Sequence, residues 1–183
     1  MNGMKGTVAA LLVVYSLAAG AQQKFVTTAA QIDFTSKAQL EMIKASSSKV
    51  SGKLYAETNQ FAFTVQVQTF RGFNTELQRQ HFNDNYLESE KYPNASFSGK
   101  IIEPVDYATD GTYDVRAKGN LDIHGIKQNR IIRGKLTIRN GTVSIRSDFT
   151  VPLIDHNITI PKIVNQKIAT EIEVSFTATM KSE

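Results

Sequence analysis

Along residues 60–70 the large apolar side chains Phe61, Phe63, Val65 and Val67 alternate with Ala62, Thr64, Gln66 and Gln68. A period of two puts each set on its own face of an extended chain, so the segment predicts a β-strand with one dry side and one wet side. The pattern recurs where Tyr113, Val115, Ala117, Gly119, Leu121 and Ile123 alternate with Asp114, Arg116, Lys118, Asn120 and Asp122. Near the C-terminus Ile168, Thr170, Ile172, Val174, Phe176, Ala178 and Met180 share one face, opposite Glu171, Glu173, Ser175 and Thr177. Leu136 and Ile138 are mirrored by Val143 and Ile145 across Asn140-Gly141. That dipeptide accepts the positive φ angles of a type I′ turn and predicts a tight hairpin. Shorter strands are expected over residues 31–36, 50–57, 95–102 and 147–153, each bounded by Gly, Pro, Asn or Ser. Only residues 74–86 break the period. There Leu77, Phe82 and Tyr86 fall on one helical face, Asn74 or Thr75 can cap the start, and Pro93 prevents continuation. The pattern therefore predicts an all-β chain with one short helical insertion.

A chain of 183 residues, 41% apolar and 21% charged, has enough apolar mass for one domain with its own core. Seven or eight antiparallel strands in that length can close into a barrel or stack as a sandwich, and alternation is compatible with both. A transmembrane barrel is excluded, because the face opposite the large apolar residues carries Arg116, Lys118, Asp122, Glu171 and Glu173 where lipid would lie. A net charge of +4 with scattered signs lacks the basic footprint of a nucleic-acid binder. With no cysteine, disulfides, thiolate-held metals and a thiol nucleophile are absent by count.

The first residues follow a different logic. A short head with Lys5 precedes an apolar run over residues 7–17, and Ala19-Gly20-Ala21 supplies small side chains. That is the pattern of a secretory signal peptide over residues 1–21, cleaved after Ala21, and the run is shorter than the roughly 20 residues a bilayer span requires. Residues 22–183 are then the exported domain, periplasmic or secreted.

Catalytic motifs are missing: there is no Gly-x-Ser-x-Gly elbow, no phosphate-binding Gly-Lys-Ser/Thr loop and no His-Glu-x-x-His pair. No two of His81, His124 and His156 stand at metal-ligand spacing, and His124, ahead of Gly125 at a strand end, suits a turn. Glu171 and Glu173 share a strand face about 7 Å apart, where solvated charge is the simpler role. No cofactor and no catalytic residue is expected. Aromatic placement says more. Phe61, Phe63, Phe97, Phe149 and Phe176 lie on apolar faces, while Phe70, Phe73, Phe82 and Tyr86 gather on the helix and its approach. The plain reading is core packing. An eight-stranded closed sheet, however, encloses just enough space to be filled by side chains or to hold one slender ligand. Gly99, Ala117, Gly119 and Ala178, small and on inward faces, are expected to leave such room.

The run His81-Phe82-Asn83-Asp84-Asn85-Tyr86-Leu87, followed by Lys91-Tyr92-Pro93-Asn94-Ala95-Ser96-Phe97-Ser98-Gly99, resembles the central signature of the YceI-like family. Gly119-Asn120-Leu121-Asp122-Ile123-His124-Gly125 is similar to its second signature, and Val50-Ser51-Gly52 and residues 149–153 stand in the family's order. The chain departs from the family in Ile32-Asp33-Phe34-Thr35-Ser36-Lys37, where the usual first-strand histidine is replaced. The resemblance implies an exported protein, an extended eight-stranded antiparallel lipocalin-like barrel, and a long polyisoprenoid or other lipid chain held inside. Phe61, Phe63, Phe82, Tyr86, Phe97, Leu121, Phe149 and Phe176 are the candidate ligand-binding residues, with Asn83, Asp84, Arg71 and His124 as candidates for fixing a polar headgroup at the mouth. The expected function is carriage or sequestration of a long-chain apolar lipid. Two alternatives stand beside it: a filled β-sandwich serving as a structural, stress-related or interaction module, and a lipid-modifying enzyme.

Overall fold

The computed structural model describes residues 23–183, so the expected signal peptide lies outside the described residues. Nine strands form one antiparallel sheet: β1 (Lys24–Lys37), β2 (Met42–Ser47), β3 (Val50–Tyr55), β4 (Gln60–Gln66), β5 (Asn94–Ile101), β6 (Gly111–Ile123), β7 (Ile126–Arg139), β8 (Thr142–Pro152) and β9 (Glu171–Ser182). From β3 each strand pairs with the next, and β9 returns to pair with β1, which also pairs with β3. Closure removes the free edges that an open sheet would present. It also decides between the two architectures that alternation permits: the chain is a barrel.

The count of eight emerges from a split position. The upper half of β1, from Ile32 to Lys37, pairs with β2, and its first residues, Lys24 to Val26, pair with β3. β2 and β3 thus share one place in an eight-stranded wall. Beyond the break, Ser46 and Arg71 exchange backbone hydrogen bonds of 2.7 and 2.9 Å, so the segment after β4 covers the edge that β2 would otherwise expose. A register shift between Thr27 and Ala29 lets the long β1 bend around the barrel.

The Asn140-Gly141 turn forms as expected, with φ of 49° and 69°, and pairs Leu136 with Ile145 and Ile138 with Val143. His124 and Gly125 repeat this geometry between β6 and β7, with φ of 53° and 72°. The helical insertion forms where the 74–86 pattern places it, with Thr75 as its cap and helical turns as far as Tyr86. α1 spans Glu76–His81, Thr75 caps it by accepting from the Gln78 N–H at 3.1 Å, and Phe82–Tyr86 widens into a single π turn.

Several boundaries differ from the sequence expectations. Ile168 and Thr170 precede β9 rather than belonging to it, and residues 147–153 are largely the upper half of β8. The lower half of β1, all of β2 and the first half of β7 had no alternating pattern to mark them. Gly99 and Gly119 do not leave room. They face each other across β5 and β6, and a methyl group on Gly99 would stand 2.1 Å from the Lys118 carbonyl oxygen. Their missing side chains let two backbones approach instead of opening a lumen.

One end of the barrel is sealed. Phe25, Leu54, Leu136, Val143 and Met180 are fully buried there. Tyr107, from the β5–β6 connection, packs its ring 5.7 Å from that of Phe25 and donates its hydroxyl to Asn59 Oδ1 at 2.8 Å. Burial pushes the Tyr107 phenol well above the usual tyrosine range, so it stays neutral and serves as a donor.

Candidate functional site: a two-chambered apolar cavity

Inside the barrel, above the sealed end, lies a chamber of about 160 Å³. Phe61, Phe63, Phe97, Leu121, Phe149 and Phe176 are among its walls. Four of the phenylalanines pack on one another, with ring centroids 5.0 Å apart for Phe61 and Phe97, 6.1 Å for Phe61 and Phe63, and 5.1 Å for Phe63 and Phe176. Much of the lumen is therefore filled by rings. A dry cavity of about 150 Å³ accommodates a molecule the size of benzene, so this chamber suits the end of an apolar chain rather than a whole lipid.

A second chamber, of about 410 Å³, sits between the open end of the barrel and the helical insertion. This lies in the range of small-molecule sites, about 300–1,000 Å³. Phe82 anchors its roof: the ring stacks on Phe34 at 5.3 Å and meets Phe70 and Phe73 at 5.8 and 5.1 Å. Tyr86 is on the same wall, and Leu153, Ile158 and Val164 from the loops after β8 complete it. Ile32, Val65, Ala95, Ile123, Val151 and Val174 line both chambers. These six come one each from β1, β4, β5, β6, β8 and β9, and form an aliphatic collar that joins the two spaces. The eight sequence-derived residues thus divide, with Phe82 and Tyr86 at the outer chamber and the other six at the inner one.

The polar groups of the outer chamber are not those expected at the mouth, because Asn83, Asp84, Arg71 and His124 line neither space. Asn83 is buried and donates to the Arg79 carbonyl, and Arg71 donates to the carbonyls of Gln68 and Phe70. The chamber instead meets Glu41, Gln78, His81, Tyr86 and Lys167. Glu41 is engaged, accepting from the Gln78 side chain at 2.5 Å and from Asn74. His81, Lys167 and the Tyr86 hydroxyl have no hydrogen-bond partner among the described residues, and partial burial raises the Tyr86 phenol above its ordinary value. Three unspent polar groups therefore border an otherwise apolar space. His81 and Tyr86 stand five residues apart in the His81–Leu87 run, whereas Lys167 comes from the distant loop after β8 and has no motif to mark it.

His124 has a structural task that its turn position did not reveal. Its Nδ1 donates to the His156 carbonyl at 3.0 Å, Nε2 lies 2.6 Å from Glu88 Oε2, and the ring packs edge-on against Tyr92. His156, fully buried, donates through Nδ1 to the Ile126 carbonyl at 3.1 Å. Together they tie the loop after β8 and the segment before β5 to the β6–β7 turn, which holds the walls of the outer chamber.

Between β7 and β8 the wall is thinner. The ladder stops at Lys135 and Arg146. Beyond it side chains span the gap: Ser147 donates to the Arg133 carbonyl at 2.6 Å, Arg130 to that of Thr150 at 3.0 Å, and Gln128 to that of Asp155 at 2.6 Å.

Glu171 and Glu173 are on the outer face of β9 and line neither chamber; Glu173 pairs with Lys37 at 2.7 Å. Among the described residues there is no cluster of three or more possible metal ligands, and no helix is long and apolar enough to cross a membrane.

A closed antiparallel barrel with an apolar lumen and a short helix across one mouth is a lipocalin-like architecture. The YceI-like domain matches residues 23–180, and the chain belongs to that family. Its fold is similar to that of a polyisoprenoid binding domain from Saccharophagus degradans, with a TM-score of 0.71 at 15% identity over 87% of this chain and 98% of that one. It is similar to BcnA of Burkholderia cenocepacia, with a TM-score of 0.68 at 14% identity over 82% and 95% of the two chains. The Campylobacter jejuni YCEI protein gives a TM-score of 0.55 at 10% identity over 97% and 91%. No curated protein matches the chain in sequence.

Proposed function

We propose that this protein binds one long-chain apolar lipid, polyisoprenoid or fatty-acyl, and carries or sequesters it after export to the periplasm or the exterior. The observation that carries this reading is the pair of apolar chambers joined by the collar. In the proposed pose the tail passes the collar into the inner chamber, while the body of the lipid fills the outer one. Tyr86, His81 and Lys167 hold its polar end.

The energetics are adequate. Burying a methylene is worth roughly 0.8 kcal/mol, so about ten supply a gross ~8 kcal/mol, near micromolar affinity before ordering costs. Family membership and the polyisoprenoid-binding relative support the ligand class. The apolar run that ends in Ala19-Gly20-Ala21 supports export.

Native mass spectrometry of protein purified from the exported fraction of a lipid-containing host tests both parts. The expected spectrum shows a chain starting at Gln22 with an added apolar mass that organic extraction removes. A chain that never carries such a mass, even after incubation with long-chain lipids, would refute the carrier reading.

A further inference from the structure

Seven large apolar side chains are exposed on the described surface, and five of them, Leu40, Met42, Leu77, Ile154 and Ile163, are at the open end of the barrel. Three are drawn together around the outer chamber. Leu40, 64% exposed, belongs to the β1–β2 loop, whose backbone donates to the Gln166 carbonyl at 2.8 Å. Ile163, 92% exposed, tops the turn that contributes Val164 and Lys167 to the chamber wall. Leu77, 59% exposed, lies on α1 and lines the chamber, one residue from the Gln78 that bonds Glu41. Isolated apolar residues on a surface need no explanation, but a group rimming an apolar opening does.

The charges beside Ile163 are of one sign. Residues 157–170 contain Lys162 and Lys167 and no acid. Neither lysine is in an ion pair among the described residues. The neighbouring acids are occupied, Glu41 by side-chain amides, Glu173 by Lys37 and Glu76 by Arg79. Across the barrel from β1 and β9, in the segment leading into β5, Glu88 is held by His124 and Glu90 adjoins Lys91. A protruding isoleucine between two free lysines, at the edge of an apolar mouth, matches an anionic lipid surface, which accepts apolar side chains below its headgroups and attracts lysine above them.

We infer that the open end docks, tilted, on an anionic membrane surface, with Ile163, Leu40 and Leu77 entering the headgroup layer and Lys162 and Lys167 meeting lipid phosphates. The inference goes beyond ligand binding. Only its purpose, passage of a lipid between bilayer and chamber without crossing water, rests on the carrier reading.

The test is sedimentation of residues 23–183, which close the barrel by themselves, with phosphatidylcholine vesicles with and without phosphatidylglycerol. Binding is expected with phosphatidylglycerol at low salt and should weaken as salt screens the lysines. Lys162→Gln and Lys167→Gln should each weaken it about fivefold, and Ile163→Ser roughly tenfold. Ile131→Ser, at an exposed apolar position on the outer wall, should leave it unchanged. The docking inference fails if no vesicle is bound, or if Ile131→Ser loses as much as Ile163→Ser. It also fails if sedimentation velocity shows a dimer that depends on Ile163, because the rim is then a protein interface. Protein that binds vesicles but never holds lipid in native mass spectrometry refutes the carrier reading and leaves docking intact. Lipid-loaded protein that ignores vesicles refutes docking alone.

Discussion

The two ends of this barrel are built from the same strands and solve opposite problems. At the sealed end, Phe25, Leu54, Leu136, Val143 and Met180 exclude water completely and Tyr107 closes the opening with a neutral hydroxyl. At the other end the aromatic cluster of Phe34, Phe70, Phe73 and Phe82 packs around empty space, and apolar residues face solvent. Solid packing is thus confined to the sealed end, and the space that can hold something else begins above it, in the two chambers joined by the collar.

Substitutions at the two ends should separate stability from binding. The largest loss is expected from Met180→Ala, which leaves a cavity in the fully buried cluster at a residue that lines neither chamber and should cost about 2–5 kcal/mol in urea unfolding. Gly99→Ala comes next. Its methyl group meets the Lys118 carbonyl at 2.1 Å, and because the opposing atom is backbone the strain should cost about 1–3 kcal/mol in the same measurement. Phe82→Ala, at the open end, should cost less than half the Met180→Ala loss, yet reduce affinity for a long-chain fatty acid by about tenfold or more in a fluorescence titration. Equal ratios of stability to affinity loss at the two ends would erase the distinction.

A smaller effect follows from Tyr107. Burial raises its phenol above the ordinary value of 10.0, so the neutral form is favoured in the folded chain. Its contribution is fully present below the unfolded value and is lost as pH rises above it, because the unfolded chain then ionises more readily. The melting temperature should fall more steeply above about pH 10 in the native protein than in Tyr107→Phe, which instead loses the Asn59 hydrogen bond at every pH. Parallel curves would remove Tyr107 from the seal.

What the sequence disclosed follows the range of its signals. β4, β6 and the Asn140-Gly141 hairpin are written locally, as alternation or as a turn dipeptide, and they are where that pattern placed them. β2 reads Met-Ile-Lys-Ala-Ser-Ser and has no such rhythm, because it is only half of one barrel position. The first half of β7 was obscured by Gln128 and Arg130, polar residues on the inward register that are needed where the β7–β8 ladder ends. In sequence Gly99 and Gly119 suggest space for a ligand, but size alone does not separate a void from a close contact between backbones. The expected headgroup residues Asn83 and Asp84 sit in the same legible motif as His81 and Tyr86, but which of them face the chamber is set by the turn they fold into, and Lys167 joins them only after the loop following β8 folds over the mouth.

The central claim, that an apolar chain threads the collar between the chambers, is tested most directly by photocrosslinking with a long-chain fatty acid bearing a diazirine at its terminal carbon. Threading predicts adducts on inner-chamber residues such as Phe61, Phe97 and Phe149, lost when Ala95→Phe narrows the collar. Adducts confined to the outer surface, or undiminished by Ala95→Phe, would contradict it.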